Sequence, residues 1–194
     1  MKKIDIVIPT IKKEFDENIK KQIKEIDSNT DNVNIIVTGL KASAASNRNY
    51  GLSKVKSDIV VMMDDDMTGF YPNWLNDLID IFNIDENCHL VSARLLTTQK
   101  TFGHMTGNCN DFTTPYAFVS SKQVPTACIA FKNDETRFDI NYIGSGFEDN
   151  DFCLQLSDKY PRGTVYISNK CKLIHINEMK NQKGFYWQIN HDYF

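Results

Sequence analysis

The sequence lacks any run of the roughly 18 apolar residues that a membrane-spanning helix needs, and it lacks an excess of positive charge. Its 22 Lys and Arg against 25 Asp and Glu leave a formal net charge of −3. The first absence removes a transmembrane reading. The second weighs against a dedicated nucleic-acid binder, which needs a basic surface to displace counterions from phosphates; a local basic groove stays open. A C-x-x-C pair is also missing. The five cysteines, Cys88, Cys109, Cys128, Cys153 and Cys171, are odd in number and scattered. A disulfide framework is therefore not expected, and a reduced, cytoplasmic protein is the simplest account. The opening MKKIDIVIPT is too short for a signal-peptide core, carries Asp5 inside it and has no small-residue cleavage site. Internal repeats, low-complexity tracts and a convincing domain linker are absent as well.

What is present is an ordinary globular composition. The chain has 194 residues, 41% hydrophobic and 24% charged, enough to bury one sizeable core without disulfide or metal staples. Residues 4–8, IDIVI, form a β-branched run closed by Pro9 and predict a buried strand. Phe15, Ile19, Ile23 and Ile26 recur at helical spacing and predict an amphipathic helix over about 14–27. After the turn cluster SNTDN, residues 33–37 predict a second strand, so the first forty residues spell β-α-β, the unit of a parallel sheet. A helix from about Ser46, a strand over DIVVMM, a helix opening at Pro72 and Asn73, and a strand over 89–96 follow. Residues 97–123, rich in Thr, Gly, Asn and Ser, read as a long functional loop. Val124–Phe131 returns to strand character, YIGSGFEDND runs from a glycine-rich turn into a helix, and GTVYIS and KLIHI read as two extended segments before an aromatic tail.

The chemistry gathers at Asp64, Asp65 and Asp66, directly after the apolar strand DIVVMM. In open α/β sheets ligands bind beyond the carboxyl ends of the strands. Three adjacent carboxylates repel one another, and a divalent cation with oxygen ligands, Mg²⁺ or Mn²⁺, offsets that repulsion. An EF-hand is excluded: a strand precedes the acidic run, Pro72 falls inside the loop, and Leu75 stands where Glu is needed. A phosphatase of the haloacid-dehalogenase type remains an alternative, with Asp64 as nucleophile and Asp66 as acid/base. Its motif belongs on the first strand of its fold, whereas here a whole β-α-β unit comes first.

Several segments, in order and spread over nearly the whole chain, carry a broader resemblance. They are IVIPT at 6–10, ASNRNYGL at 45–52, DIVVMMDDDM at 58–67, GSGFEDNDF at 144–152 and KLIHINEMKN at 172–181. Together they resemble the family 2 glycosyltransferases and, towards the end, the metal-dependent galactosyltransferases. The resemblance implies a single α/β domain of the GT-A fold, a mostly parallel twisted sheet flanked by helices. Its nucleotide-binding half would span about 1–97 and its acceptor-binding half about 98–194. It implies an inverting, metal-dependent transfer of a sugar from a nucleotide-sugar, a UDP-sugar first, to an acceptor hydroxyl. The family's Asp-Asp-Gly-Ser stretch after strand two is replaced here by TGLKAS at 38–43, so an acidic contact to the nucleotide is missing or moved.

By the same resemblance Asp66 and His175 are metal ligands, and the imidazole favours Mn²⁺ over Mg²⁺. Asp64 holds the ribose or a metal-bound water. Pro9, Thr10, Arg48, Asp65 and Gly146 line the donor site, with Asn49 beside Arg48. Asp149 is the general base, its ionised form favoured by the helix start it occupies; Glu148 binds the acceptor or shares the base role, and Asp151 stabilises the first turn of the helix. The loop at 97–123, with His104, is expected to recognise the acceptor or close over the donor, and Phe185, Tyr186 and Trp187 to stack on a sugar or pack in the core. The acceptor is a glycan or, since Ile-, Asn- and Lys-rich composition fits an AT-rich bacterial or phage genome, a modified DNA base.

Overall fold

The computed structural model describes residues 3–11, 16–40, 42–99, 116–121, 124, 126–176 and 185–194, with 185–187 described by backbone alone. His104, most of the 97–123 loop and the side chains of Phe185, Tyr186 and Trp187 lie outside the described residues.

The β-α-β opening forms as the hydrophobic pattern dictates. Strand β1 (Ile4–Thr10) pairs in parallel with β2 (Val33–Gly39), from Ile4 opposite Val33 to Thr10 opposite Gly39. Helix α1 (Glu17–Asn29) joins them. Asp16 caps it by accepting from the Ile19 N–H at 3.0 Å, and its buried face is Ile19, Gln22 and Ile26. Helix α2 (Ala44–Leu52), capped by Ser43, leads into β3 (Ile59–Met63), which pairs in parallel with β1. After the acidic triplet come the two-residue strand β4 (Met67–Thr68), helices α3 (Trp74–Ile79) and α4 (Ile81–Ile84), and strand β5 (Cys88–Leu96). The second half supplies β6 (Phe118–Ser121), β7 (Cys128–Lys132), α5 (Glu148–Lys159), β8 (Thr164–His175) and α6 (Phe185–Tyr193).

These strands make one eight-stranded sheet in the order β2-β1-β3-β7-β5-β8-β4, with β6 also on β8. Parallel pairing holds for β2-β1-β3 and for β5-β8. The sheet is mixed because β7 runs antiparallel to both β3 and β5, and β4 and β6 run antiparallel to β8. The two extended segments read at 163–168 and 172–176 are one strand, β8, with a register irregularity where Ala93 and Arg94 face Ser168 and Lys172.

Successive strand residues face opposite layers. Ile6 and Ile8 of β1, with Val61 and Met63 of β3, pack with Ile26 of α1 and Trp74 and Leu78 of α3. Val7, Val60 and Met62 pack with Ala45 and Leu52 of α2 and Phe152 and Leu156 of α5. Both faces of the sheet are thus covered, which is why β3, IVVMM, reads as an uninterrupted apolar run. Cys88, Cys128, Cys153 and Cys171 are buried free thiols within these layers. Among the described residues no helix is long and apolar enough to cross a membrane.

Helix α2 lies unusually close to the sheet. A Cβ added at Gly51 would stand 2.3 Å from Val7 Cγ1. Gly51→Ala is therefore expected to push α2 off β1 and cost about 1–3 kcal/mol of stability. Urea unfolding measures it; an unchanged midpoint would refute the close approach.

Candidate active site

The acidic triplet sits where β3 leaves the sheet, and its backbone is fastened from several sides. The Asp64 N–H donates to the Ala127 carbonyl at 2.9 Å. Gln22 reaches from the buried face of α1, donating to the Asp64 carbonyl at 3.0 Å and accepting from the Met67 N–H at 3.2 Å. Glu25, one turn on, accepts from the Gly69 and Phe70 N–H groups and the Thr68 hydroxyl. A polar Gln22 inside the apolar stripe Ile19–Ile26 was the sequence signal for this anchor.

Strand β4 then pairs with the end of β8, Met67 opposite His175 and Thr68 opposite Ile174. That pairing delivers His175 to the triplet. His175 Nε2 lies 3.0 Å from Asp66 Oδ1 and 3.7 Å from Asp64 Oδ2. Asp64, Asp66 and His175 each offer one ligand atom, all within 4.8 Å of one another. Two carboxylate oxygens and one imidazole nitrogen are a donor set that suits a divalent ion such as Mn²⁺. Burial pushes the Asp64 carboxyl up, Arg48 and His175 pull it down, and its acidic neighbours raise it further. A bound cation would relieve that last repulsion, so the residues fit the ion.

Asp65 turns the other way and accepts from the Thr10 hydroxyl at the end of β1. Asn47 of α2 donates to the Thr10 carbonyl at 2.6 Å and accepts from the Leu40 N–H at 3.4 Å, tying the ends of β1 and β2 together. Between them is a cleft of about 120 Å³ lined by Pro9, Thr10, Asn47, Arg48, Asp64 and Asp65. A second cavity of about 380 Å³ adjoins it, lined by Asp64, His175, Gly146, Glu148 and Asp149 among others. Arg48, Asp64 and Ala44 line both. The expected donor residues thus collect in the small cleft and the expected catalytic ones in the larger cavity, with Gly146 on the larger side.

Arg48 links the two. Its guanidinium, buried and lying 5.2 Å over the Phe138 ring, contacts Glu148 Oε1 at 2.6 Å and Asp64 Oδ1 at 3.5 Å. Burial opposes its charge, but Glu148 and Asp64 prevail and raise its pKa. The other Glu148 oxygen accepts from the Gly146 N–H. With both oxygens engaged, buried Glu148 is placed as the partner of Arg48. Sequence reasoning missed this pair because its members are a hundred residues apart, with |i−j| of 100. Asn49, expected beside the nucleotide, closes instead on the Phe138 backbone, donating to its carbonyl at 2.7 Å and accepting from its N–H at 2.9 Å. Asp151 accepts from Gln155 at 2.6 Å, within the helix as expected.

Asp149 lines the same cavity beside Asp64 and Glu148, and its Oδ1 accepts from the Asn150 N–H at 3.0 Å. The helix start was expected to favour its ionised form; instead burial and the adjacent Glu148 raise its pKa to about 6, against the pull of Arg48. The turn before it adopts positive φ at Gly144, Gly146 and Phe147.

No curated protein matches the sequence. Among solved structures, the crystal structure of GalNAc-T7 with UDP, GalNAc and Mn²⁺ superposes with a TM-score of 0.68 at 12% identity. The match covers 98% of this chain but 47% of that one, so the chain spans about half its length. At that identity the likeness is one of fold, the GT-A fold. The family model described as glycosyl transferase family 2 matches residues 13–132, from α1 through the acidic triplet to the end of β7. With well over half of its residues inside that match, the chain belongs to glycosyl transferase family 2.

Proposed function

We propose that the protein transfers a sugar from a nucleotide-sugar, a UDP-sugar first, to an acceptor hydroxyl with inversion at the anomeric carbon. The observation that carries the reading is the cluster of Asp64, Asp66 and His175, of which Asp64 and His175 line the same cavity as Asp149. Asp66 and His175, with Asp64 in reach, would hold Mn²⁺ or, less well matched to the imidazole, Mg²⁺. When bound, the ion neutralises the charge growing on the departing diphosphate. The fold neighbour holds UDP and Mn²⁺, which supports both choices. Pro9, Thr10, Arg48 and Asp65 would shape the nucleotide side, and Gly146 the sugar side. Asp149 takes the proton of the acceptor hydroxyl; that oxygen bonds to the anomeric carbon as the bond from that carbon to the diphosphate oxygen breaks. The base is poised, since a pKa of about 6 leaves it ionised at neutral pH yet basic enough to accept a proton. Glu148 supports it through Arg48. A net charge of −3 favours a glycan acceptor over a modified DNA base, and the free thiols of Cys88, Cys128, Cys153 and Cys171 favour a reducing, cytoplasmic setting.

The test is nucleotide release from a panel of UDP-, GDP-, CDP- and TDP-sugars. One donor should be hydrolysed slowly, roughly tenfold or more faster with Mn²⁺ than with chelator, and Asp66→Ala and His175→Ala should each remove that stimulation. Hydrolysis of a generic phosphate ester, with Asp64 essential and His175 dispensable, would replace this reading by the phosphatase one. The 3.0 and 3.7 Å approaches of His175 to Asp66 and Asp64 favour the transferase.

A further inference from the structure

The turn that aims Asp149 is held by a residue of the last helix. Asn190 is buried, 1% exposed, and its carboxamide closes on the backbone of residues 143–146. It accepts from the Ile143 N–H at 3.0 Å and donates to the Ile143 and Gly146 carbonyls at 2.9 Å each. This turn carries positive φ at Gly144, Gly146 and Phe147. For an aromatic residue such as Phe147 that conformation is costly and persists only where the surroundings impose it. Phe147 is also the residue before α5, with no side-chain cap, so its backbone sets the direction in which Glu148 and Asp149 leave the turn.

Two tethers act on the segment, one from α2 and one from α6. From α2, the Ala44 N–H donates to the Gly144 carbonyl at 2.8 Å. From α6, Asn190 binds both ends of the turn, and the rings of His191 and Phe194 lie 5.4 and 5.5 Å from that of Phe147. The Tyr193 hydroxyl donates to Asp139 at 2.7 Å, just upstream. Helix α6 therefore lies across the 139–147 segment and reaches the cavity wall through Asn190. Among the described residues, neither the proposed metal cluster nor the proposed nucleotide cleft has one from α6.

From this we infer that Asn190 is a positioning residue for the transfer step: by fixing residues 143–146 from α6 it sets the place of Asp149 without touching the donor. The inference rests on the proposed transferase reading for its kinetic part only. Removing the carboxamide frees two carbonyls and one N–H of a turn that its own dihedrals disfavour, and Asp149 drifts. A misplacement of about 1 Å at a reacting group costs on the order of 100-fold in rate.

The experiment compares Asn190→Ala and Asn190→Asp with the full chain, with Gln188→Ala on the exposed face of α6 as the control. Asn190→Asp keeps an acceptor for the Ile143 N–H and removes the donor to the carbonyls, so it serves if the alanine variant does not fold. Hydrogen exchange should quicken about tenfold or more at residues 143–147 and stay unchanged in β1 and β3. With the donor that the parent hydrolyses, kcat should fall about 10- to 100-fold while KM and Mn²⁺-dependent UDP binding stay within about twofold. Gln188→Ala should match the parent. Unchanged exchange at 143–147 would overturn the clamp, and that arm can be read even if the parent turns over no sugar donor. Faster exchange with unchanged kcat, or equal losses of kcat and UDP binding, would overturn the positioning role.

Discussion

Asp149→Asn should lower sugar transfer by about a thousandfold while leaving UDP and Mn²⁺ binding within about twofold. A general base contributes about 10² to 10⁴ in rate, and the amide keeps the shape of the carboxylate while losing the ability to take the proton. The residue lines the larger cavity and belongs neither to the Asp64, Asp66 and His175 cluster nor to the small cleft proposed for the nucleotide, so binding should survive. In the parent, activity should fall as pH drops through about 6, where Asp149 gains its proton. The stability sign is opposite. The folded state raises this pKa from 3.8, so between about 4 and 6 it holds a proton the unfolded chain has released, and stability declines as pH rises through that window. Asp149→Asn, neutral throughout, should therefore unfold no more easily than the parent at pH 7. An inactive variant of undiminished stability is the signature of a reacting group. Retained transfer in Asp149→Asn would remove the residue from the mechanism and return the base role to Glu148.

How much of this was legible in the sequence depends on distance along the chain. The β-α-β opening came from the runs IDIVI and VNIIV and the Ile19–Ile26 stripe, because local hydrophobic period decides such elements. The acidic triplet and its place at a strand end were equally local. Pairing was not. Nothing in CIAFK says that β7 runs antiparallel between β3 and β5, and nothing in Met67–Thr68 says that two residues will pair with the end of β8. Only the family resemblance set His175 beside Asp66; the structure adds the device that puts it there. The Arg48–Glu148 pair was illegible for the same reason, and it moves Glu148 from a possible base to a buried partner. Asn190 sits in a tail whose aromatic residues drew the eye to stacking, yet its carboxamide is what meets the glycine-rich turn.

Arg48→Met should destabilise the fold by about 3–5 kcal/mol, because it leaves Glu148 as a buried carboxylate without its counter-charge. Glu148→Leu should cost a similar amount, by stranding the guanidinium. Together the two costs should not add: with neither charge present the penalty largely disappears, and the double variant should be more stable than either single one. A denaturant double-mutant cycle measures this coupling, and simple additivity would show that the ion pair is not the organising contact. The same set of variants reports on Asp149, whose pKa Glu148 raises and Arg48 lowers, after the larger effect of burial. Arg48→Met should move the acid limb of residual activity upward, Glu148→Leu downward, and the double variant back toward the parent. Turnover should stay low in the double variant even where stability returns, since Glu148 also holds the Gly146 N–H and Arg48 also faces Asp64. The buried pair thus links Asp64 to the Gly146 turn that precedes Asp149. Its removal should uncouple stability from catalysis, which damage to the core alone would not do.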